Sequence, residues 1–135
     1  MYKRMLATGL LATAVFATIG ANPASASAKQ EIDHAKAAIM TGYHKECASN
    51  DNVTGCVMPY GDILWLKDND TDGYGVKLTW KDTDGSRYGQ CQDNLGSGDW
   101  SRCNKNFPEG HVISWYLTWY EDGAWHNGGR QTTKV

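Results

Sequence analysis

The sequence has little positive charge, no second long apolar run, no cysteines at zinc-finger spacing and no nucleophile motif. Each absence removes a class of protein. Thirteen Lys and Arg stand against fifteen Asp and Glu in 135 residues. Two of the basic residues, Lys3 and Arg4, lie at the extreme N-terminus. Without them the balance is eleven against fifteen, a net charge near −4. Nucleic-acid binders are normally basic, so no nucleic-acid partner is expected. The only long charge-free run is Met5–Gly20, whose 16 residues fall short of the roughly 20 that a spanning helix needs. No membrane span is expected.

That run reads instead as the core of a secretory leader. Lys3 and Arg4 precede it, and Ala24-Ser25-Ala26 and Ala26-Ser27-Ala28 follow as small-residue cleavage sites. Cleavage after Ala26 or Ala28 leaves 109 or 107 residues, enough for one domain with a modest core. The expected organisation is a leader over 1–28, an arm and disulfide loop over 29–57, and a β domain over 58–135.

Four cysteines in a secreted chain imply two disulfides. Cys47, Cys56, Cys91 and Cys103 allow three connectivities. Pairing 47 with 56 and 91 with 103 is favoured, because each pair brackets a loop rich in Asn, Asp and Gly. The spacings do not match zinc knuckles, so no metal or other cofactor is expected. His34, His44, His111 and His126 are scattered and accompany no Ser or Cys nucleophile. The acids fall in turns rather than as a spaced pair facing a cleft. No catalytic residue is assigned, and the chain reads as a binding protein rather than an enzyme.

What the sequence does have is β pattern and aromatics. His111–Tyr120 alternates strictly, with Ile113, Trp115, Leu117 and Trp119 on one face. Tyr116 and Tyr120 lie on the other face, where a half-buried strand would normally be more polar. Asp62–Lys67 is a second strand, with Ile63 and Trp65 on one side and Leu64 and Leu66 on the other. Gly75–Cys91 reads as a hairpin about Asp84-Gly85. In that register Leu78 faces Cys91, Trp80 faces Gly89 and Asp82 faces Arg87, the last as an opposite-charge pair. About six short strands with Gly and Asp turns predict an all-β fold, a small disulfide-stabilised β-sandwich.

Lys29–Met40 is the one helical pattern, with Ile32, Ala35, Ile39 and Tyr43 at helical spacing and Thr41-Gly42 as its stop. The predicted fold therefore carries an N-terminal helical or extended arm. That arm is either a frayed terminus or a helix lying on the domain, or it orders in the cleft of a partner. Its candidate contact residues are Ile32, Ala35, Ile39, Met40 and Tyr43.

Asp68-Asn69-Asp70-Thr71-Asp72-Gly73 opens like a calcium loop, with carboxylates at positions 1, 3 and 5 and glycine at 6. Position 12 is Thr79, where a Glu belongs. A similar Asp82-Thr83-Asp84-Gly85 follows, so β-turns that exploit the positive φ of Asp-Gly are the preferred reading of both.

Six tryptophans remain to be placed. Trp65, Trp80, Trp115 and Trp119 are expected in the core. Trp100 and Trp125 are expected at the surface, where aromatics serve as hot spots for partners. With Tyr116 and Tyr120 they form the candidate contact set of the β domain. The register of Trp125 is open between pairing with Tyr120 and pairing with Trp119.

Asp70-Thr71-Asp72-Gly73-Tyr74-Gly75-Val76, followed by a Trp, a turn and a cysteine, resembles a group of small secreted proteins of filamentous Gram-positive bacteria. The leader and the late aromatic strand add to that likeness. Within the group the chain is similar to the small adaptor subunits of umbrella toxin particles. The resemblance implies an extracellular adaptor that joins a large toxin stalk protein to a lectin-like or protease-like spoke protein. It implies that an extension over about Lys29–Lys45 enters the spoke protein's cleft while the β domain holds the stalk. Two other classes compete: a carbohydrate-binding module or lectin using its aromatics, and a hydrolase inhibitor presenting the Gln92–Asn104 loop.

Overall fold

The computed structural model describes residues 27–135. Most of the leader therefore lies outside the described residues. The described chain is all-β, as expected, and its eleven strands form two sheets.

One sheet is built on the long strand β9 (Val112–Glu121). Its period-two pattern holds over Ile113, Trp115 and Leu117, which are buried; Trp119, expected in the core, is only partly buried against it, and Tyr116 and Tyr120 lie on the opposite face. β6 (Val76–Asp82) pairs with it antiparallel, Trp80 opposite Trp115 and Leu78 opposite Leu117. β7 (Tyr88–Asp93) continues the hairpin in the expected register, Leu78 opposite Cys91 and Trp80 opposite Gly89. On the far edge of β9, β10 (Ala124–Asn127) and β11 (Gln131–Lys134) lie end to end. The β9–β10 turn has two residues, Asp122 (φ 50°) and Gly123 (φ 79°), so Trp125 pairs with Tyr120. Both positive φ values suit the right-handed twist of the hairpin.

The second sheet runs β2 (Lys36–Ala37), β8 (Trp100–Asn104), β5 (Ile63–Asp68), β4 (Val53–Met58), β3 (Glu46–Ser49). Val53, Val57, Leu64 and Leu66 meet Val76, Leu78, Trp80, Ile113, Trp115 and Leu117 in one core between the sheets. Trp115 Nε1 donates to Thr133 Oγ1 at 3.0 Å, which satisfies its buried N–H. Ile63 and Trp65 face the other way and build a smaller cluster with Cys56 and Met58. Both disulfides follow the favoured pairing. Cys91–Cys103 links β7 to β8 inside the core, and so joins the two sheets. Cys47–Cys56 joins directly opposed residues of β3 and β4.

Three expectations are corrected. Lys29–Met40 is not helical. β1 (Glu31–His34) pairs parallel with β7, and β2 then crosses to pair with β8. This segment is a strap across the open edge that Cys91–Cys103 also closes. The apolar stripe was too thin to hold a helix on the domain, whereas β7 and β8 offered unpaired edges. Alternation sends Glu31, Asp33 and Ala35 inward. Glu31 meets Arg87 and Lys105, Asp33 meets Lys105, and Ala35 enters the core. Gly89 makes room for the strap, since a Cβ there would overlap the Glu31 carbonyl oxygen.

Second, Cys47–Cys56 is not a loop but the β3–β4 hairpin, whose second strand is almost wholly buried. Third, Asp82 and Arg87 are opposed in backbone only. Asp82, 1% exposed, binds His111 Nδ1 at 2.8 Å, while Arg87 turns to Glu31. The Asp84-Gly85 connection also uses no positive φ; Asp82 Oδ1 accepts the Asp84 N–H and closes the turn instead.

Candidate functional site: two aromatic surfaces

The outer face of the β9 sheet carries an aromatic cluster. Tyr120 projects from β9 and Trp125 from the facing β10, with ring centroids 5.4 Å apart in an edge-on arrangement. Tyr74, from the loop before β6, stacks on Tyr120 at 3.8 Å. Lys77 Nζ lies 4.4 Å from the Trp125 ring centroid, within cation–π range. Trp125 is 47% and Tyr74 46% exposed. Aromatic rings fixed by one another lose little entropy when a partner covers them.

Further along the same face lies a cavity of about 580 Å³. Its walls include Tyr88 and Tyr116, and its polar lining includes Thr79, Lys81, Ser114 and Arg130. Arg130 donates to Ser114 Oγ at 3.2 Å, while the buried Thr79 Oγ1 has no partner.

The outer face of the other sheet carries the second surface. The chain between β2 and β3, residues 38–45, folds over the Cys56–Met58–Ile63–Trp65 cluster, with Met40 and Ala38 packed against it. Lys45 Nζ ties this loop by donating to the carbonyls of Thr41 and Tyr43. Thr41 Oγ1 reaches Met58 Sδ. Ile39 at the tip is left 93% exposed. Tyr43 stacks on Tyr60 with centroids 4.4 Å apart, and both rings are exposed.

The expected contact residues thus divide. Ile39 lines a groove with Met40 and Trp100, Tyr43 stacks on Tyr60, and Met40 packs the loop that carries both against the Trp65 cluster. Ile32 is exposed on β1, away from them in the chain's course, and Ala35 is buried in the core. Tyr120 and Trp125 meet in the first surface, and Tyr116 lines the neighbouring cavity. Trp100 is half-buried beside Met40 and the residue 38–45 loop, with Lys67 over its ring. Tyr74, Tyr60 and Tyr88 were missed. Two lie in loops and the third at a strand start, where alternation carries no information.

The ionic groups are mostly structural. Arg87, with Lys105 in support, holds the Glu31 carboxyl at about 2, well below its ordinary value. Burial pushes the Asp62 carboxyl up, although it accepts the Phe107 N–H. Burial likewise raises Asp68, with the charges of Asp72, Asp93 and Asp70 adding to the effect. His111 and His126 lie apart: His111 precedes β9 and His126 stacks on Trp119 near its end. Among the described residues, no three or more His, Cys, Asp or Glu side chains gather as a metal centre. No helix among them is long and apolar enough to cross a membrane.

Comparison with known protein families, characterised proteins and solved structures finds no match to this chain.

Proposed function

We propose that the protein is a secreted adaptor that binds two other extracellular proteins, one on each face of its sandwich. The observation that carries this reading is the pair of exposed aromatic surfaces on opposite layers. Tyr74, Tyr120 and Trp125 occupy one; Ile39, Tyr43 and Tyr60 occupy the other. Two separated surfaces let a small domain hold two partners at once. Exposed Tyr and Trp are the side chains that most often dominate such contacts. Two disulfides suit an oxidising compartment.

Following the resemblance, the partners are a large toxin stalk protein and a lectin-like or protease-like spoke protein of a bacterial antagonism complex. The element offered to the spoke protein's cleft is then the loop 38–45, because residues 31–37 are committed to the sheet edges. Affinity purification from culture supernatant tests the reading. It should recover two large secreted partners in one complex. Recovery of the protein alone, as a monomer, contradicts it.

A second reading rests on the Tyr88–Tyr116 cavity. Aromatic walls with free hydroxyl and cationic groups can hold a sugar ring, as a carbohydrate-binding module would. Retention on a polysaccharide column, lost in Tyr116→Ala, would favour this reading over the adaptor.

A further inference from the structure

Two carboxylates are buried at one end of the sandwich. Asp68 ends β5 and is 3% exposed; Asp93 ends β7 and is 0% exposed. Alternation places Asp68 on the face of Leu64 and Leu66, and Asp93 on the face of Cys91. Both therefore turn into the space between the sheets, each from a different sheet. Each spends one oxygen on a local turn: Asp68 Oδ1 accepts the Asp70 N–H and Asp93 Oδ1 accepts the Leu95 N–H, both at 3.0 Å. Asp93 Oδ2 is buried with no partner. Among the described residues neither carboxylate takes part in an ion pair.

A buried carboxylate without a cation or a full set of donors is costly, and such groups are normally paired or bound to metal. A cavity of about 340 Å³ opens beside Asp68, lined also by Asp70, Thr71, Asn94 and Ser97, and Asp93 adjoins it through its chain neighbour Asn94. Oxygen atoms predominate in its lining, and the nearby side-chain amide of Asn52 donates to Asp70 Oδ2 at 3.1 Å. Gly75 lets the start of β6 lie against the Asp93 carbonyl and the Asn94 amide oxygen, where a Cβ would collide with both. An oxygen-rich environment with two carboxylates from different strands suits a hard divalent cation.

We propose that this end of the sandwich binds calcium, with Asp68 and Asp93 as its carboxylate ligands and the side-chain oxygens of Thr71, Asn94 and Ser97 completing the oxygen set. Three converging acids are not required, because calcium also takes amide, carbonyl, hydroxyl and water oxygens. The site differs from the helix-flanked loop that Asp68–Gly73 resembles. Thr79, at position 12 of that loop, lies in β6, and the distant Asp93 supplies the missing carboxylate. The ion would tie β5 to β7 and fix the loop that carries Tyr74. The calcium site stands independently of the adaptor reading.

The test is terbium luminescence and thermal melting of the full mature chain, with calcium chloride or EGTA. Tyr74 lines the cavity and serves as the terbium antenna. Terbium emission should appear and be displaced by calcium, with half-effect at about 10⁻⁴–10⁻³ M, the range of extracellular calcium modules. The melting temperature should rise by about 5 °C at tenfold saturation. Asp93→Asn and Asp68→Asn should each lose both responses. Calcium-free Asp93→Asn should melt no lower than calcium-free wild type, since it removes an unpaired buried charge. A wild-type melt that calcium leaves unchanged, without terbium displacement, would overturn the proposal. So would responses of full size in both variants.

Discussion

Glu31 and Arg87 form a two-pronged ion pair, with Nε–Oε2 and Nη2–Oε1 both at 2.9 Å, that fastens the N-terminal strap to β7. Lys105, 6% exposed at its side chain, adds a 2.8 Å contact to the same carboxylate and a 2.6 Å contact to Asp33. The strap would otherwise have little to hold it, since of its side chains only Ala35 enters the core. Charge pairing replaces apolar burial as its anchor.

Glu31→Gln should therefore destabilise the protein at pH 7. The loss should be about 1–2 kcal/mol, because the carboxylate is partly exposed and solvent screens the pair. The folded carboxyl titrates at about 2 against an ordinary value of 4.5. Its contribution is thus complete above pH 4.5 and disappears as pH falls to about 2. Urea unfolding at several pH values should show a shallower decline across that window for Glu31→Gln than for wild type.

Gly89→Ala should cost more than its small volume suggests. A methyl group there meets the backbone of Glu31, which cannot move without breaking the β1–β7 ladder. A loss of about 2–3 kcal/mol is expected. Faster amide exchange over residues 31–37, ahead of β6 and β9, would mark the strap as the element released.

The two disulfides should contribute unequally. Cys91 and Cys103 are buried and link the sheets, so replacing both by Ala loses a cross-link and opens the core. A cost of about 3–4 kcal/mol is expected. Cys47–Cys56 spans an adjacent hairpin pair, and its loss should cost about 1–2 kcal/mol. Chemical denaturation of the two double variants gives the comparison.

Much of the β domain was legible because its pairs are local. Val76–Cys91 alternates around a compact turn, so period and turn together fix which residues face one another. β9 was legible from its length and strict alternation. The strap was not, because its apolar residues fall at helical spacing and its partner β7 is more than fifty residues away in sequence. A signal existed in Gly89, an interior strand glycine that marks a close backbone approach. Asp82 was misassigned for a similar reason. Its register partner Arg87 was visible, whereas His111, which the fold brings to it, was not. Of the candidate site, Tyr120 and Trp125 were legible as a facing pair once the turn length was set. The Tyr43–Tyr60 stack depends on a loop folding over Trp65, which no local pattern encodes.

A two-partner adaptor must hold a different partner on each outer face. The most direct measurement is co-purification of two surface variants from culture supernatant, each with a thermal melt of the purified protein. Tyr120→Ala with Trp125→Ala should lose one partner and retain the other. Ile39→Ala with Tyr43→Ala should do the reverse, and both should melt close to wild type because Ile39, Tyr43 and Trp125 are exposed and Tyr120 is only partly buried, outside the core. Loss of the same partner by both variants, or of neither, would contradict the account.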